Sequence, residues 1–151
     1  MFLKYDKVDT VYSFMNLLSM YANIPKDYET GTLMTMQEIH TLGYICKAYE
    51  ISISELGKKL HKTKGAISQM ADKLEKKGLI VRKKSDANPK LVLLVPTEAG
   101  RKTDFIHRAY DREAVLATLN TLSQHFTPDE IEAYYKVMKA HTQIHLNKTK
   151  A

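Results

Sequence analysis

The sequence predicts a mainly α-helical chain carrying one small β-hairpin. Apolar residues recur at three-and-four spacing through most of the 151 residues. The period changes once, to β-prone runs at 79–84 and 91–95 that flank a cluster of turn formers. Helix-start patterns stand at Thr35, Thr63 and Thr127. A hydrophobic content of 44% and a charged content of 26% fit a globular domain, and the length suffices for one domain with its own core.

The elements follow in order. Over residues 4–22, Val8, Val11, Tyr12, Met15, Leu17, Leu18 and Tyr21 fall on one broad helical face. Ile24-Pro25 ends that helix, and 26–31 reads as a polar connector. Thr35 with Glu38 three residues on forms a capping-box pattern opening a second helix through 49. Ile51-Ser52-Ile53 alternates like a short strand, and Ser54 is the expected cap of a short helix over 55–60 with Leu56 and Leu60 inward. After the turn His61-Lys62-Thr63, Thr63 caps a helix to 77, closed by Gly78 in the left-handed position.

The two β-runs enclose Ser85-Asp86-Ala87-Asn88-Pro89-Lys90, giving a two-stranded hairpin with a long polar tip. Thr97 caps a long helix over 98–125. Thr127-Pro128-Asp129-Glu130 supplies a cap, a first-turn proline and an acid at the third position, starting a last helix to about 146.

The net charge of +6 is concentrated. Residues 55–90 hold eleven basic and four acidic side chains, so this quarter of the chain carries the whole positive excess. Such asymmetry favours a polyanionic partner, nucleic acid before an acidic membrane. No run of the roughly 18 apolar residues needed for a membrane span occurs, and the first ten residues lack a secretory apolar stretch. The one cysteine, Cys46, forms no internal disulfide. A reducing cytoplasm is the expected location. A Gly-rich phosphate loop, a nucleophile elbow, an HExxH pair and an evident carboxylate pair are all lacking, so an enzyme is not expected.

A short helix, a turn, a second helix and a basic hairpin make a winged helix-turn-helix arrangement. On the second helix, Ile67, Met70, Ala71 and Leu74 form the stripe expected to face the core. Gly65, Gln69, Asp72 and Lys76 fall opposite, flanked by Ala66, Ser68 and Lys73. Small residues near the start permit close approach to a groove. Gln69 offers the donor and acceptor that match the major-groove edge of adenine, Ser68 can bond a base or phosphate, and the helix start beside Lys64 suits a backbone phosphate. Asp72 fits this face only if it pairs with Lys73 or Lys76 or accepts from a cytosine.

The run ISISELGKKLHKTKGAISQMADKLEKKGLIVRKKSDANPKLVLLVPTEAG resembles the DNA-binding core of the MarR family of bacterial transcriptional regulators, most specifically in LEKKGLIVRK and PTEAG. The resemblance implies a homodimer with interlocking terminal helices on a pseudo-palindromic operator in double-stranded DNA, with reader helices entering successive major grooves about 34 Å apart. It implies reader residues at Lys64, Gly65, Ala66, Ser68 and Gln69, with Arg82 and Lys84 at the base of the wing. Lys62, Thr63, Lys73, Asn88 and Lys90 complete the candidate DNA-binding set. Two positions depart from the family pattern. Asn88-Pro89-Lys90 stands where an Asp-x-Arg element is usual, and Gln69 where arginine is common. Lysine lacks the guanidinium fork suited to a narrow minor groove.

Members of the family often answer to aromatic acids, oxidants or metals. Tyr12, Met15, Tyr21, Met36 and Tyr44 are the candidate lining of an effector pocket, with Tyr28 and Met34 nearby in the same apolar set; all serve equally as core or interface. No metal centre and no cofactor are assigned. His40, His107 and Asp111 are the residues best able to hold zinc, the last two being one helical turn apart. His141 and His145 share that spacing. Cys46, on an apolar helix without a neighbouring base, reads as a packed thiol. The expected organisation is one domain over 1–151, with a DNA-binding lobe at 34–97 and helical dimerisation segments at 1–24 and 98–146. The expected function is that of a sequence-specific regulator, a repressor of nearby genes under an unidentified small-molecule or metal effector. The alternative is a sequence-neutral, nucleoid-type DNA binder.

Overall fold

The computed structural model describes residues 7–148. In chain order the elements are α1 (Lys7–Asn23), β1 (Lys26–Asp27), β2 (Leu33–Met34), α2 (Met36–Ala48), β3 (Ile51–Ser52) and α3 (Ile53–Leu60). They continue with α4 (Lys64–Lys76), β4 (Ile80–Lys84), β5 (Val92–Pro96), α5 (Glu98–Leu122) and α6 (Pro128–Lys148). Residues 4–6 of the expected first helix lie outside the described residues.

Capping chemistry decides where the helices begin. Before α2, the Thr35 hydroxyl accepts from the Glu38 N–H at 3.2 Å, while Glu38 Oε2 accepts from the Thr35 N–H at 2.9 Å. This reciprocal box satisfies two backbone donors that lie at the helix start. The same box opens α3, but on Ser52 and Glu55 rather than on Ser54. Ser54 sits inside the helix because only a cap at Ser52 lets Glu55 reach back from the third helical position. The expected three-residue strand therefore shortens to Ile51–Ser52. Thr63 caps α4 as expected, its hydroxyl accepting from the Ala66 N–H at 3.2 Å.

The connector at 26–31 differs from expectation. β1 and β2 pair antiparallel, Lys26 opposite Met34 and Asp27 opposite Leu33. The turn between them is held by Asp27 Oδ1, which accepts from the Thr30 and Gly31 N–H groups at 2.8 and 3.0 Å. The wing also gains a strand: β5 lies between β3 and β4, with Leu94 opposite both Ile51 and Arg82. The sheet is thus three-stranded, and β3 ties the wing to the start of α3.

The chain divides into two units, one up to Tyr110 and one from Asp111 on. In the first, Ile39, Leu42 and Ile45 of α2, Leu56 of α3, Ile67 and Leu74 of α4, and Ile80 and Leu94 of the sheet are fully enclosed. Each such side chain contributes about 1.5–3 kcal/mol relative to exposure. The start of α5 locks onto this core. Thr97 donates its hydroxyl to Gly78 O at 2.7 Å and its N–H to Leu79 O at 3.0 Å. Gly100 then passes so close that a Cβ there would stand 2.0 Å from Leu79 O, which is why the hairpin exit reads PTEAG.

In the second unit the remainder of α5 turns back through 123–127 into α6, where Thr127 and Glu130 repeat the capping box. Much of its apolar surface is open, including Val115, Leu116, Val137 and Ile144. Among the described residues, no helix is long and apolar enough to cross a membrane.

Candidate nucleic-acid interface

α4 presents two chemically distinct sides. Ile67, Ala71 and Leu74 are buried and Met70 is half-buried, which places the expected stripe on the core. Lys64, Gly65, Ala66, Gln69, Asp72, Lys73 and Lys76 are exposed, and Ser68 is half-exposed. Thr63 fixes the helix start by accepting from the Ala66 N–H, and the positive end of the helix dipole beside Lys64 is a favourable location for an anion. Gly57 lets the preceding turn pass close behind: a Cβ there would lie 2.9 Å from Lys62 O. Lys62 itself is exposed and its Nζ donates to Gln37 Oε1 at 3.3 Å.

The wing completes the surface. Lys84 at the end of β4 and Lys90 beyond the tip are exposed, as is Asn88. Asn88 shapes the tip instead of simply projecting from it, since its Oδ1 accepts from the Lys90 N–H at 3.1 Å and its carbonyl from the Leu91 N–H at 2.8 Å. A cleft of about 440 Å³ separates the wing base from the helix starts, lined in part by Ser54, Lys64, Gly65, Ser68 and Lys90. Ser54, assigned from sequence as a cap, is thereby on the basic surface.

Arg82 occupies a different environment from the lysines. Its guanidinium reaches across from β4 to α4, donating to Glu75 Oε2, to Asp72 Oδ1 at 2.6 Å and to Ser68 O at 3.4 Å. This gives Asp72 the cationic partner that its place on the outer face demands. The partner thus comes from the wing strand and not from Lys73 or Lys76 within α4. Lys77 likewise turns inward, to Glu38 Oε2 and Leu33 O, both at 2.8 Å.

The candidate effector residues lie on α1 and α2. Tyr12, Met15, Tyr21 and Tyr44 are exposed, and Met36 is half-buried at the start of α2. Tyr28 is buried, edge-on to both His107 and Tyr110. A separate apolar groove of about 620 Å³ lies within the second unit, lined by residues including Leu122, Phe126, Ile131, Tyr134 and Met138. His40 on α2 and the buried His107 on α5 have ring centroids 5.0 Å apart, and Asp111 follows one turn along α5. On α6, His141 and His145 bring their Nε2 atoms to 3.0 Å.

Cys46 is half-buried, its thiol directed at Gly100 O at 3.7 Å. Burial, with the charge of Asp104 adding to it, pushes the thiol up to about 11, against the opposing Arg108 and Arg101. A thiol so disposed stays protonated at neutral pH and is a poor redox sensor.

The fold and this exposed helix define a winged helix-turn-helix protein. Residues 34–92 match the MarR family. An uncharacterised HTH-type transcriptional regulator, YhjH of Bacillus subtilis (strain 168), is 30% identical over 107 residues, covering 70% of this chain. The chain spans 61% of that relative's length. Among solved structures, Streptococcus pneumoniae FabT in complex with DNA superposes with a TM-score of 0.68 at 26% identity, over 93% of this chain and 95% of FabT. Lactococcus lactis ZitR, a zinc-responsive MarR family member, gives 0.67 at 20% identity, over 90% and 94%, and shares the fold. Residues 34–92 thus carry the sequence of the MarR family, within a chain that shares the fold of its solved members.

Proposed function

We propose that the protein is a homodimeric, sequence-specific DNA-binding transcriptional regulator that represses nearby genes by competing with RNA polymerase for promoter DNA. The observation that carries this reading is the two-sidedness of α4: a sealed inner stripe, and an outer face of small and polar residues flanked by lysines and by the wing. Small residues at its start let the backbone approach base edges, Gln69 reads them, and Lys64, Lys84 and Lys90 grip phosphates. FabT, a structural relative, is seen with DNA. A dimer supplies the second reader helix. Its support is α1, where Tyr12, Met15, Leu18 and Tyr21 stand about half-exposed in the isolated chain. The DNA-binding lobe extends over 34–97, and the segments 1–24 and 98–146 join the two copies.

Regulation by a divalent metal is a second, narrower reading. It is favoured by the approach of His40 and His107 on two different helices, imidazoles being common zinc ligands, and by the existence of a zinc-responsive member with this fold. If zinc is the effector, it must favour one dimer geometry, with coupling of about 1–3 kcal/mol.

The test is selection of bound duplexes from a random pool, followed by mobility shifts with two variants. Gln69→Ala should change the selected sequence. Lys84→Ala should weaken all duplexes and reduce the slope of log K against log salt by about 0.9. Failure of the wild-type chain to enrich any sequence would favour a sequence-neutral binder, and failure to retain DNA at about 50 mM salt would reject the DNA-binding reading altogether.

A further inference from the structure

We infer that Arg82 is a positioning residue that sets the roll of the reader helix against the wing, and that it does not grip DNA. The inference rests on the DNA-binding reading and departs from the role that the family resemblance implies for this position. Its three partners on α4, Ser68, Asp72 and Glu75, are spaced four and three residues apart, a single stripe bordering the face that carries Gly65 and Gln69. Both terminal guanidinium nitrogens are committed to that stripe: one donates to Glu75, the other to Asp72 and Ser68. The Arg82 side chain is 26% exposed, against 52% for Asp72 and 39% for Glu75. The cation is thus the least exposed of the three charged groups.

The electrostatics point the same way. One guanidinium facing two carboxylates has no positive charge left to offer a phosphate. Drawing it away to DNA would leave Asp72 and Glu75 bare beside a polyanion. What the arrangement does supply is geometry. Arg82 lies opposite Leu94 in the sheet register, and Leu94 is fully buried, so the backbone that carries Arg82 is fixed by the core. A planar fork anchored there and bonded along one stripe fixes the rotation of α4 about its own axis. A rotation of one residue position, about 100°, would replace Gln69 at the groove by a neighbour. A lysine supplies the charge without the two-pronged geometry.

Two variants separate positioning from grip. Arg82→Lys keeps the charge and Glu75→Gln keeps the size of the partner. Each is measured by fluorescence anisotropy against an approximately 30-base-pair duplex selected by the wild-type chain and against a scrambled duplex, over about 50–200 mM salt. Positioning predicts that each variant loses about tenfold or more on the selected duplex, with little change on the scrambled one and an unchanged salt slope. Circular dichroism confirms that both variants fold. Wild-type affinity for the selected duplex in Arg82→Lys, or tighter binding of both duplexes by Glu75→Gln because a phosphate-binding arginine has been released, overturns the inference while leaving the DNA-binding reading intact. A wild-type chain that selects no duplex removes both.

Discussion

The winged-helix lobe and the flanking helices handle apolar surface in opposite ways. In the lobe, Met34, Leu42, Leu56, Leu74 and Leu94 have no exposure at all. On α1 and α6, aromatic and aliphatic side chains of comparable size stand open, from Tyr12 at 67% to Val137 at 66%. The lobe has a complete core within one chain, whereas α1 and α6 have their apolar surface ready but uncovered. A contiguous apolar surface of this extent is rarely left in contact with water, and a second copy is the simplest cover. Under the proposed reading, recognition falls to the self-sufficient part, and the spacing of two reader helices to the part whose apolar surface is open.

The largest expected effect is inside the lobe. Glu38 is buried and would by burial alone hold its proton more tightly. The hydrogen bond from Lys77, the Thr35 N–H and the charges of Lys77 and Lys73 outweigh burial and hold its carboxyl below the usual range. A carboxylate lowered in the folded state stabilises above its unfolded value, 4.5, and that contribution fades as pH falls through the folded value. Lys77→Met leaves the buried carboxylate without its cation and should cost about 3 kcal/mol near neutral pH. Urea titrations should show the gap between the variant and the wild type closing as pH falls through the lowered folded-state value of Glu38. A gap that stays constant with pH would mean that Lys77 acts through packing alone.

Smaller in stability, but decisive for the comparison, is Leu18→Glu on α1. If a second copy covers that face, the wild-type thermal midpoint rises with protein concentration and the variant's does not. Sedimentation should show dissociation at a concentration about 100-fold above that of the wild type, with the secondary structure of the lobe retained. A wild-type chain that sediments as a monomer throughout would break the contrast between the two regions.

Much of this architecture is legible in sequence because its signals are local. Thr35/Glu38 and Thr127/Glu130 each declare a helix start within four residues, and Gly78 (φ +72) marks an end. The misreadings are those in which two local signals compete or in which none exists. Ile51-Ser52-Ile53 looks like a strand through β-branching, yet Ser52 and Glu55 form a capping box that recruits Ile53 into α3. The β1–β2 ribbon has two residues per strand, too few to show a period, and depends on the Asp27 side chain closing the turn. For the site, the outer face of α4 follows from helical spacing, because period and burial are coupled. The partners of Arg82 do not, since a strand residue meeting positions seven, ten and fourteen earlier depends on how β4 crosses α4. That is tertiary information, and it separates a basic residue that is available from one already engaged.

The smallest expected effect concerns Cys46, which tests how tightly the lobe closes over α5. Its thiol lies between α2 and the glycine that lets α5 approach Leu79. With the thiol raised from 9.0 to about 11, the thiolate fraction at pH 8 falls by about 100-fold relative to an unshifted cysteine. Alkylation by iodoacetamide should slow by about that factor in the folded chain and recover in urea. Cys46→Ala removes only a weak S–H donor and a small volume, and should cost about 1 kcal/mol or less. Fast alkylation of the folded chain would mean that this seam opens. The rigid support inferred for α4 would then be weaker than its buried stripe implies.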